Sequence, residues 1–373
     1  MKHDGSMINT PRNRRSFLKT GLVAAGATVG AGLLAHSSAA FAQLTSSGDD
    51  LTAGDVAILQ FLAAGEALEA DFYTQYNELG GIRDSEESDG SGNLIYTEKL
   101  RRIDRDFPQY LHDITDDEKS HQNFLNAYLV SQGAAPVDME PFRTLQGSTA
   151  TGSSGALRLT NLMQLTVDTS WWTRYRSSTH NPDVNPTTFD QAVPDLHNGK
   201  FTAIPRTDED LFPDKHIQAI ANTAAFHIPT VEQGGGSLRL ALAQRATSVE
   251  VLRLLISMGP IELMHFQTWS KLDGNVPPLT DPTNGLTFPD LNIQRSTSAL
   301  EMFQTNLILP EPCPFINTSL PACSVVRPTN TNGVAMGALK FLTAMGLFIG
   351  QSDAFFTFMT NLAEAADAAQ REV

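Results

Sequence analysis

Apolar residues recur at helical spacing in four long stretches of the chain. The first stretch ends at Gly80-Gly81, and the second contains Pro108, near which a bend is expected. Four amphipathic helices that each turn one face inward predict an all-α four-helix bundle. The stretches cover about residues 54–79, 98–132, 156–177 and 249–272.

The connections between these helices are unequal. An insertion at about residues 178–248 begins with a segment rich in Pro, Asp and Asn and is too long for a plain bundle connection. Gly259-Pro260 should kink or split the fourth helix. The sequence therefore predicts a bundle over residues 54–272 with long inter-helix insertions.

Residues 273–373 form a Pro-rich loop followed by one more apolar helix, expected over residues 334–369. The uncharged part of this helix, residues 341–350, is too short to span a bilayer. We expect the helix to pack on the bundle, with a membrane-facing or oligomer-forming surface as the alternative. Cys313 and Cys323, ten residues apart in the loop, are expected to form a structural disulfide in an oxidising compartment.

The first 42 residues have the pattern of a targeting segment. Arg14-Arg15 precedes an apolar run of Ala and Gly, and Ala40-Phe41-Ala42 matches an A-x-A cleavage site. We interpret residues 1–42 as a twin-arginine signal peptide, with a membrane anchor as the weaker alternative because the apolar run is short. The mature protein is then expected in the periplasm or outside the cell. Its partners would include the twin-arginine export machinery, which carries proteins already folded around a cofactor.

The formal net charge of the whole chain is −15, and removal of the signal peptide makes it more negative. So acidic a protein is not expected to bind nucleic acid, because both would carry the same sign of charge.

Two copies of Glu-x-x-His provide the candidate chemistry. Glu118 and His121 lie three residues apart in the second helix, and Glu262 and His265 repeat the spacing in the fourth. Residues three apart share one face of a helix, and apolar residues bracket both pairs on that face. Burying these ionisable groups without partners would be costly, so either mutual pairing or a metal must neutralise the carboxylates. In dinuclear bundles, two helices supply Glu-x-x-His and the other two supply one carboxylate each.

The first and third helices offer matching carboxylates. Glu66 precedes Tyr73 by seven residues, and Asp168 precedes Tyr175 by the same interval. Two helical turns separate each pair, so each carboxylate shares a face with its tyrosine. Glu69 is expected to lie outside the ligand set. Glu232 is the less favoured substitute for Asp168, because Gly234-Gly235-Gly236 should end its helix.

With these motifs, the chain resembles the ferritin-like superfamily, and particularly its exported branch related to desiccation-associated proteins. The resemblance covers about residues 54–272. It implies two metal ions bound by Glu66, Glu118, His121, Asp168, Glu262 and His265. It also implies that Tyr73 and Tyr175 hydrogen-bond the ligand carboxylates, so that Tyr73 would pair with Asp168. The sequence departs from the family pattern at Asp168, where Glu is usual, and at Gly259-Pro260.

A weaker signal is an acidic loop that resembles a twelve-residue calcium loop. The alternative is a solvated acidic loop with no ion. The ligand positions of this pattern are Glu87, Asp89, Ser91, Asn93 and Glu98.

Carboxylates with two imidazoles suit iron or manganese, between which oxygen or peroxide could bind. The first functional hypothesis is therefore an exported oxidoreductase of peroxidase, catalase or ferroxidase type that acts on such a small oxidant in stress protection. The alternatives are an iron-binding protein and a non-catalytic envelope protein with a vestigial metal site. A homo-oligomer is left open.

Overall fold

The computed structural model describes residues 51–82, 92–176, 189–291, 310, 312–313, 315–325 and 331–372. The expected signal peptide and its cleavage site lie outside the described residues. So do Glu87, Asp89 and Ser91 of the expected calcium loop.

Four long helices form the bundle, and they pack in two pairs. Helix α1 lies along α3, and α5 lies along α6. The prediction of an all-α fold is confirmed, since the strands within the described residues are only short two-residue pairs. The helices are α1 (Ala53–Gly80), α2 (Leu94–Ile103), α3 (Phe107–Ser131), α4 (Ser170–Arg174), α5 (Asp214–Ala243), α6 (Val249–Leu272), α7 (Val334–Met345) and α8 (Asp353–Ala368).

The strands form two small antiparallel hairpins outside the bundle. In the first, β1 (Leu145–Gln146) pairs with β2 (Leu157–Arg158), with Leu145 opposite Arg158. In the second, β3 (Leu279–Thr280) pairs with β4 (Thr287–Phe288), with Leu279 opposite Phe288.

Helix α1 begins with a capping box, in which the Thr52 hydroxyl accepts a hydrogen bond from the backbone of Asp55 while the Asp55 carboxylate accepts from Thr52. Asp55 also accepts hydrogen bonds from the backbone amides of Thr247 and Ser248, at the turn between α5 and α6. One carboxylate thus ties the start of α1 to the end of the opposite helix pair.

The third helix of the bundle differs from the prediction. Residues 156–176 do not form one long helix; they contain β2, a connecting segment without regular helix and the five-residue α4. The backbone of this connecting segment bonds to neighbouring segments instead, as in the pair of hydrogen bonds between Leu165 and Phe201. Tertiary hydrogen bonds therefore replace the helical ladder that apolar spacing alone suggested.

The third long helix is α5, which lies inside the region predicted as an insertion. It runs through Pro229 and through Gly234-Gly235-Gly236 to Ala243 without ending. Both Gly235 and Gly236 are closely packed: a Cβ at Gly236 would come within 2.8 Å of Leu263 on α6. Burial between helices stabilises this segment enough to outweigh its low helix propensity.

Helix α6 has the predicted bounds and continues through Pro260 without splitting. The predicted second helix is instead two helices, α2 and α3, and Pro108 lies in the first turn of α3, where its missing amide is tolerated.

The expected C-terminal helix is also divided. Helix α7 ends at Gly346, whose φ of 94° is left-handed, and α8 begins only at Asp353. Helix α8 packs on α1. No helix within the described residues is both long enough and apolar enough to cross a membrane.

The structure corrects the predicted disulfide. Cys313 and Cys323 are both free thiols, and they lie in different environments, since Cys313 is buried and Cys323 is exposed. A disulfide requires the two Cβ atoms to approach closely and face each other, which sequence spacing alone does not ensure.

Candidate metal centre

Five of the predicted ligands meet inside the bundle. Glu66 comes from α1, Glu118 and His121 come from α3, and Glu262 and His265 come from α6. A sixth residue, Glu232 on α5, joins them. These residues form two sets of four. In each set, every residue contributes one ligand atom, and the four atoms lie within 4.8 Å of one another. The sets are Glu66, Glu118, His121 and Glu262, and Glu118, Glu232, Glu262 and His265.

Glu118 and Glu262 belong to both sets, so the two positions share their central carboxylates. The helical register explains this placement, because each Glu and its His lie three residues apart on an inward face. Apolar neighbours on the same faces, Leu125 on α3 and Trp269 on α6, are fully buried.

Asp168 lies outside both sets. Its Oδ1 accepts hydrogen bonds from the backbone of Ser170 at 2.9 Å and from Gln191 Nε2 at 2.8 Å, beside the start of the short helix α4. These bonds help to lower the pKa of Asp168, although burial acts in the opposite direction. The Tyr175 hydroxyl accepts a hydrogen bond from Gln233.

The predicted pairing of Tyr73 with Asp168 is therefore wrong. The Tyr73 hydroxyl donates to Glu232 instead, and it accepts a hydrogen bond from Trp269 Nε1 at 3.0 Å. Because Asp168 precedes the short helix α4 and does not lie within a long helix, its carboxylate does not occupy the predicted helical position. Glu232 occupies that position on α5.

Arg239 follows Glu232 by seven residues, the interval that separates Glu66 from Tyr73. Its Nε and Nη2 donate to Glu66 Oε1 at 3.1 and 2.5 Å, and Nη2 also donates to Glu69 Oε2 at 2.8 Å. Helices α1 and α5 thus exchange hydrogen bonds, from Tyr73 to Glu232 and from Arg239 to Glu66. The signal for this pair was present in the sequence as Glu-x6-Arg.

The two histidines turn Nδ1 towards the carboxylates. His121 Nδ1 lies 3.3 Å from Glu262, 3.4 Å from Glu118 and 3.6 Å from Glu66. His265 Nδ1 lies 3.1 Å from Glu118 Oε1, and its Nε2 lies 3.1 Å from Asp117 Oδ2. A carboxylate on the far nitrogen of a histidine fixes the ring orientation and is typical of metal sites.

Burial and charge act against each other in the cluster. Burial raises the pKa of Glu118 and Glu262. Burial would also raise the pKa of Glu66, but Arg239 and His121 lower it to about 2. Burial lowers the pKa of His121, yet the surrounding carboxylates outweigh this effect and raise it to about 12. The cluster therefore favours bound positive charge.

Several buried polar atoms of the cluster lie 3.1–3.9 Å from a histidine nitrogen or carboxylate oxygen but form no hydrogen bond of good geometry within the described part of the chain. A buried oxygen without a hydrogen bond is costly, and a cation that these atoms coordinate would remove that cost. Carboxylate oxygens with two imidazoles are suitable donors for iron, manganese or zinc. The residues present therefore fit a metal centre. The atoms are Glu66 Oε2, Glu118 Oε1, Glu232 Oε2, Glu262 Oε1 and Oε2, and His265 Nδ1.

A family model described as ferritin-like domain matches residues 54–274. The chain belongs to the ferritin-like domain family. The match covers α1, α3, α5 and α6 and hence every residue of the two ligand sets, so the predicted all-α ferritin-like bundle is confirmed. A search of the curated proteins and a search of the solved structures found no match.

Two of the five ligand positions of the expected calcium loop lie within the described part of this ferritin-like protein. Asn93 caps α2, because its Oδ1 accepts from the Tyr96 amide at 3.0 Å, and Glu98 is exposed on that helix. The Asn93 side chain thus has a structural role, and calcium binding by the loop stays a prediction.

Proposed function

We propose that this ferritin-like domain binds two metal ions, of iron or manganese, and reacts with oxygen or peroxide. The observation that carries the proposal is the pair of ligand sets that share Glu118 and Glu262. Shared carboxylates can bridge two ions about 3.5–4 Å apart. Each ion would then also have one histidine and one carboxylate of its own, Glu66 with His121 or Glu232 with His265.

A bound pair of such ions supplies redox equivalents and Lewis acidity to a small oxidant. The residues of the chain supply the surroundings. Glu66, Glu118 and Glu262 are fully buried, which keeps the bulk solvent from the carboxylates. Tyr73 and Asp117 orient Glu232 and His265, and Arg239 holds Glu66.

Arg239 also supports a difference between the two metal positions. Its charge lies beside Glu66, whereas the hydroxyl of Tyr73, beside Glu232, is uncharged. A fixed positive charge repels a metal ion, so the Glu66 position should bind metal more weakly than the Glu232 position.

The proposed setting is outside the cytoplasm, after export through the twin-arginine pathway and cleavage near Ala42. The Arg14-Arg15 pair and the A-x-A sequence support it. A redox-active metal protein in that setting would act in stress protection, as the resemblance to desiccation-associated proteins implies.

The test is metal analysis of the full chain after export in its native host, followed by oxygen and peroxide consumption assays. We expect two ions per chain and consumption that is lost in Glu118→Gln, which removes a shared ligand from both positions. Asp168→Asn is the matched control and should keep both ions. Two ions without consumption would favour the iron-binding alternative, and fewer than one ion would favour a vestigial site.

A further inference from the structure

An apolar cavity of about 80 Å³ lies between α1, α5 and the C-terminal helices. One water needs roughly 10–15 Å³ of such space, so the cavity is much larger than a single water site. Its lining is almost wholly apolar, with Phe72 from the bundle and Leu342 and Phe348 from the C-terminal region as examples. Cavities of this kind stay dry and accept small apolar molecules.

Only two lining residues are charged, and both belong to the network around the metal centre. Glu69 and Arg239 line the cavity, and Arg239 is hydrogen-bonded to Glu66. The bonds to Glu66 and Glu69 come from Nε and Nη2. Nη1 points towards Gly235, where a Cβ would come within 2.8 Å of it and within 3.5 Å of Glu262. At Gly235 the lining of the cavity therefore comes close to Glu262, one of the ligand carboxylates, although Glu262 itself does not line the cavity.

The cavity is accessible from the surface at Phe341, which lines it and is 38% exposed. Two helical glycines, Gly65 on α1 and Gly234 on α5, also line the cavity, and a Cβ at either would have no neighbour within 4 Å. Any larger side chain at these positions would extend into open space. The missing side chains thus leave room for a ligand between the surface and the cluster.

We infer that this cavity binds a small neutral organic molecule with an apolar body and one acceptor oxygen, such as a ketone, aldehyde or alcohol. The apolar body lies between the helices, and the oxygen accepts a hydrogen bond from Arg239 at the inner end. The inference rests on the proposed function in one respect, since it makes this molecule the organic substrate presented to the metal centre. Binding itself requires no metal.

The experiment measures the binding of cyclohexanone and cyclohexane to the metal-free full chain by ligand-observed NMR. The two probes share a body, and cyclohexane is the more hydrophobic. We expect cyclohexanone to bind at least about fivefold more tightly, relative to cyclohexane, than the partition of the two probes between water and an apolar solvent predicts, because it alone can accept from the guanidinium. A ratio of the two affinities equal to the partition ratio would overturn the assignment of the ligand class.

The location is tested with Gly65→Leu and Gly234→Leu, which fill the cavity. Both should weaken cyclohexanone binding at least about tenfold while the thermal unfolding midpoint stays at or above that of the unmodified protein. Gly337→Leu is the matched control, because Gly337 lies on α7 with open space around it but does not line the cavity. Unchanged binding in both cavity variants would refute the site.

Failure of this inference can be distinguished from failure of the proposed function. If the chain binds two metal ions and consumes peroxide but does not bind cyclohexanone, the metal proposal is supported and the cavity is refuted as a ligand site. If the chain binds cyclohexanone, the cavity variants abolish that binding and no metal is bound, the cavity is supported as a ligand site and the metal proposal is refuted.

Discussion

Arg239 donates two hydrogen bonds to Glu66, a partner on the opposite helix pair of the bundle and 173 residues earlier in the chain. In the corresponding contact in the other direction, Tyr73 on α1 donates a hydrogen bond to Glu232 on α5. Each donor lies seven residues after the carboxylate of its own helix, so α1 and α5 are related by an approximate twofold exchange. The exchange is unequal in charge, because one donor is a cation and the other a neutral hydroxyl.

The charge of Arg239 should stabilise the metal-free protein and weaken metal binding at the Glu66 position. Arg239→Gln leaves buried carboxylates without their cation, so the free energy of unfolding without metal should fall by about 3–5 kcal/mol. Affinity at the weaker metal position should rise by about tenfold, since a repelling charge is gone. Urea unfolding with a chelator and metal titration of the folded protein measure the two effects. Weaker metal binding in the variant would contradict the role assigned to Arg239.

Glu232 should be a ligand of one metal position only. Glu232→Gln keeps the shape of the side chain and removes its charge, so one of two bound ions should be lost while the other remains. Asp168→Asn is the control, because Asp168 bonds to Ser170 and Gln191 outside the cluster. Metal analysis after dialysis gives the stoichiometry. Loss of an ion in the Asp168 variant, with retention in the Glu232 variant, would restore the assignment made from the sequence.

Tyr73 should matter for metal binding far more than Tyr175. Tyr73→Phe leaves Glu232 and Trp269 without their partner, which should reduce affinity at the Glu232 position by about 10–100-fold and stability by about 1–3 kcal/mol. Tyr175→Phe removes an acceptor of Gln233 and should leave metal affinity within about twofold. The comparison requires metal titrations of both variants under one buffer. Equal effects would show that Tyr73 has no special role.

The metal-free protein should lose stability as pH rises from about 6.5 to 8. Burial lowers the pKa of His121, but Glu118, Glu262 and Glu66 raise it from 6.5 to about 12, so the folded protein retains a proton that the unfolded chain releases. Burial raises the pKa of Glu69 to about 8, which acts in the same direction. Each retained proton costs up to about 1.4 kcal/mol per pH unit.

Metal binding displaces the proton from His121, so metal affinity should increase over the same pH range. Urea unfolding at pH 6.5 and pH 8 in the presence of a chelator measures the loss of stability, and His121→Gln should give a shallower slope. A metal-free stability that rises across this range would contradict the assigned direction.

Two of the three consecutive glycines of α5, Gly234 and Gly236, should respond differently to alanine. At Gly234 a Cβ meets no atom within 4 Å, so Gly234→Ala should stabilise the fold by about 0.5–1 kcal/mol through helix propensity. At Gly236 a Cβ would lie 2.8 Å from Leu263 Cδ2, and Gly236→Ala should destabilise by about 1–3 kcal/mol. Thermal and urea unfolding of the pair test whether α5 packs on α6 as closely as described.

The sequence alone was sufficient for the parts of this protein that depend on local periodicity. The Glu-x-x-His pairs on α3 and α6, and Glu66 on α1, share the apolar faces of long helices, and a helix that buries one face must bring those residues inwards. The all-α class and the bounds of α6 follow from the same periodicity. The acidic composition predicts that nucleic acid is not a partner, and this expectation stays a prediction.

Only the tertiary structure decided which segment forms the third long helix, and with it the identity of the fourth carboxylate. Residues 156–177 have helical spacing, but their backbone forms hydrogen bonds to distant segments such as the one containing Phe201. Residues 214–243 contain Pro229 and three consecutive glycines, yet they form α5, in which Gly236 packs too closely on Leu263 of α6 to leave room for a side chain. Local propensities amount to about 1 kcal/mol per residue, and the burial of a whole helix face exceeds them. For this reason Glu232 and Arg239, and not Asp168, lie beside Glu66 and Tyr73.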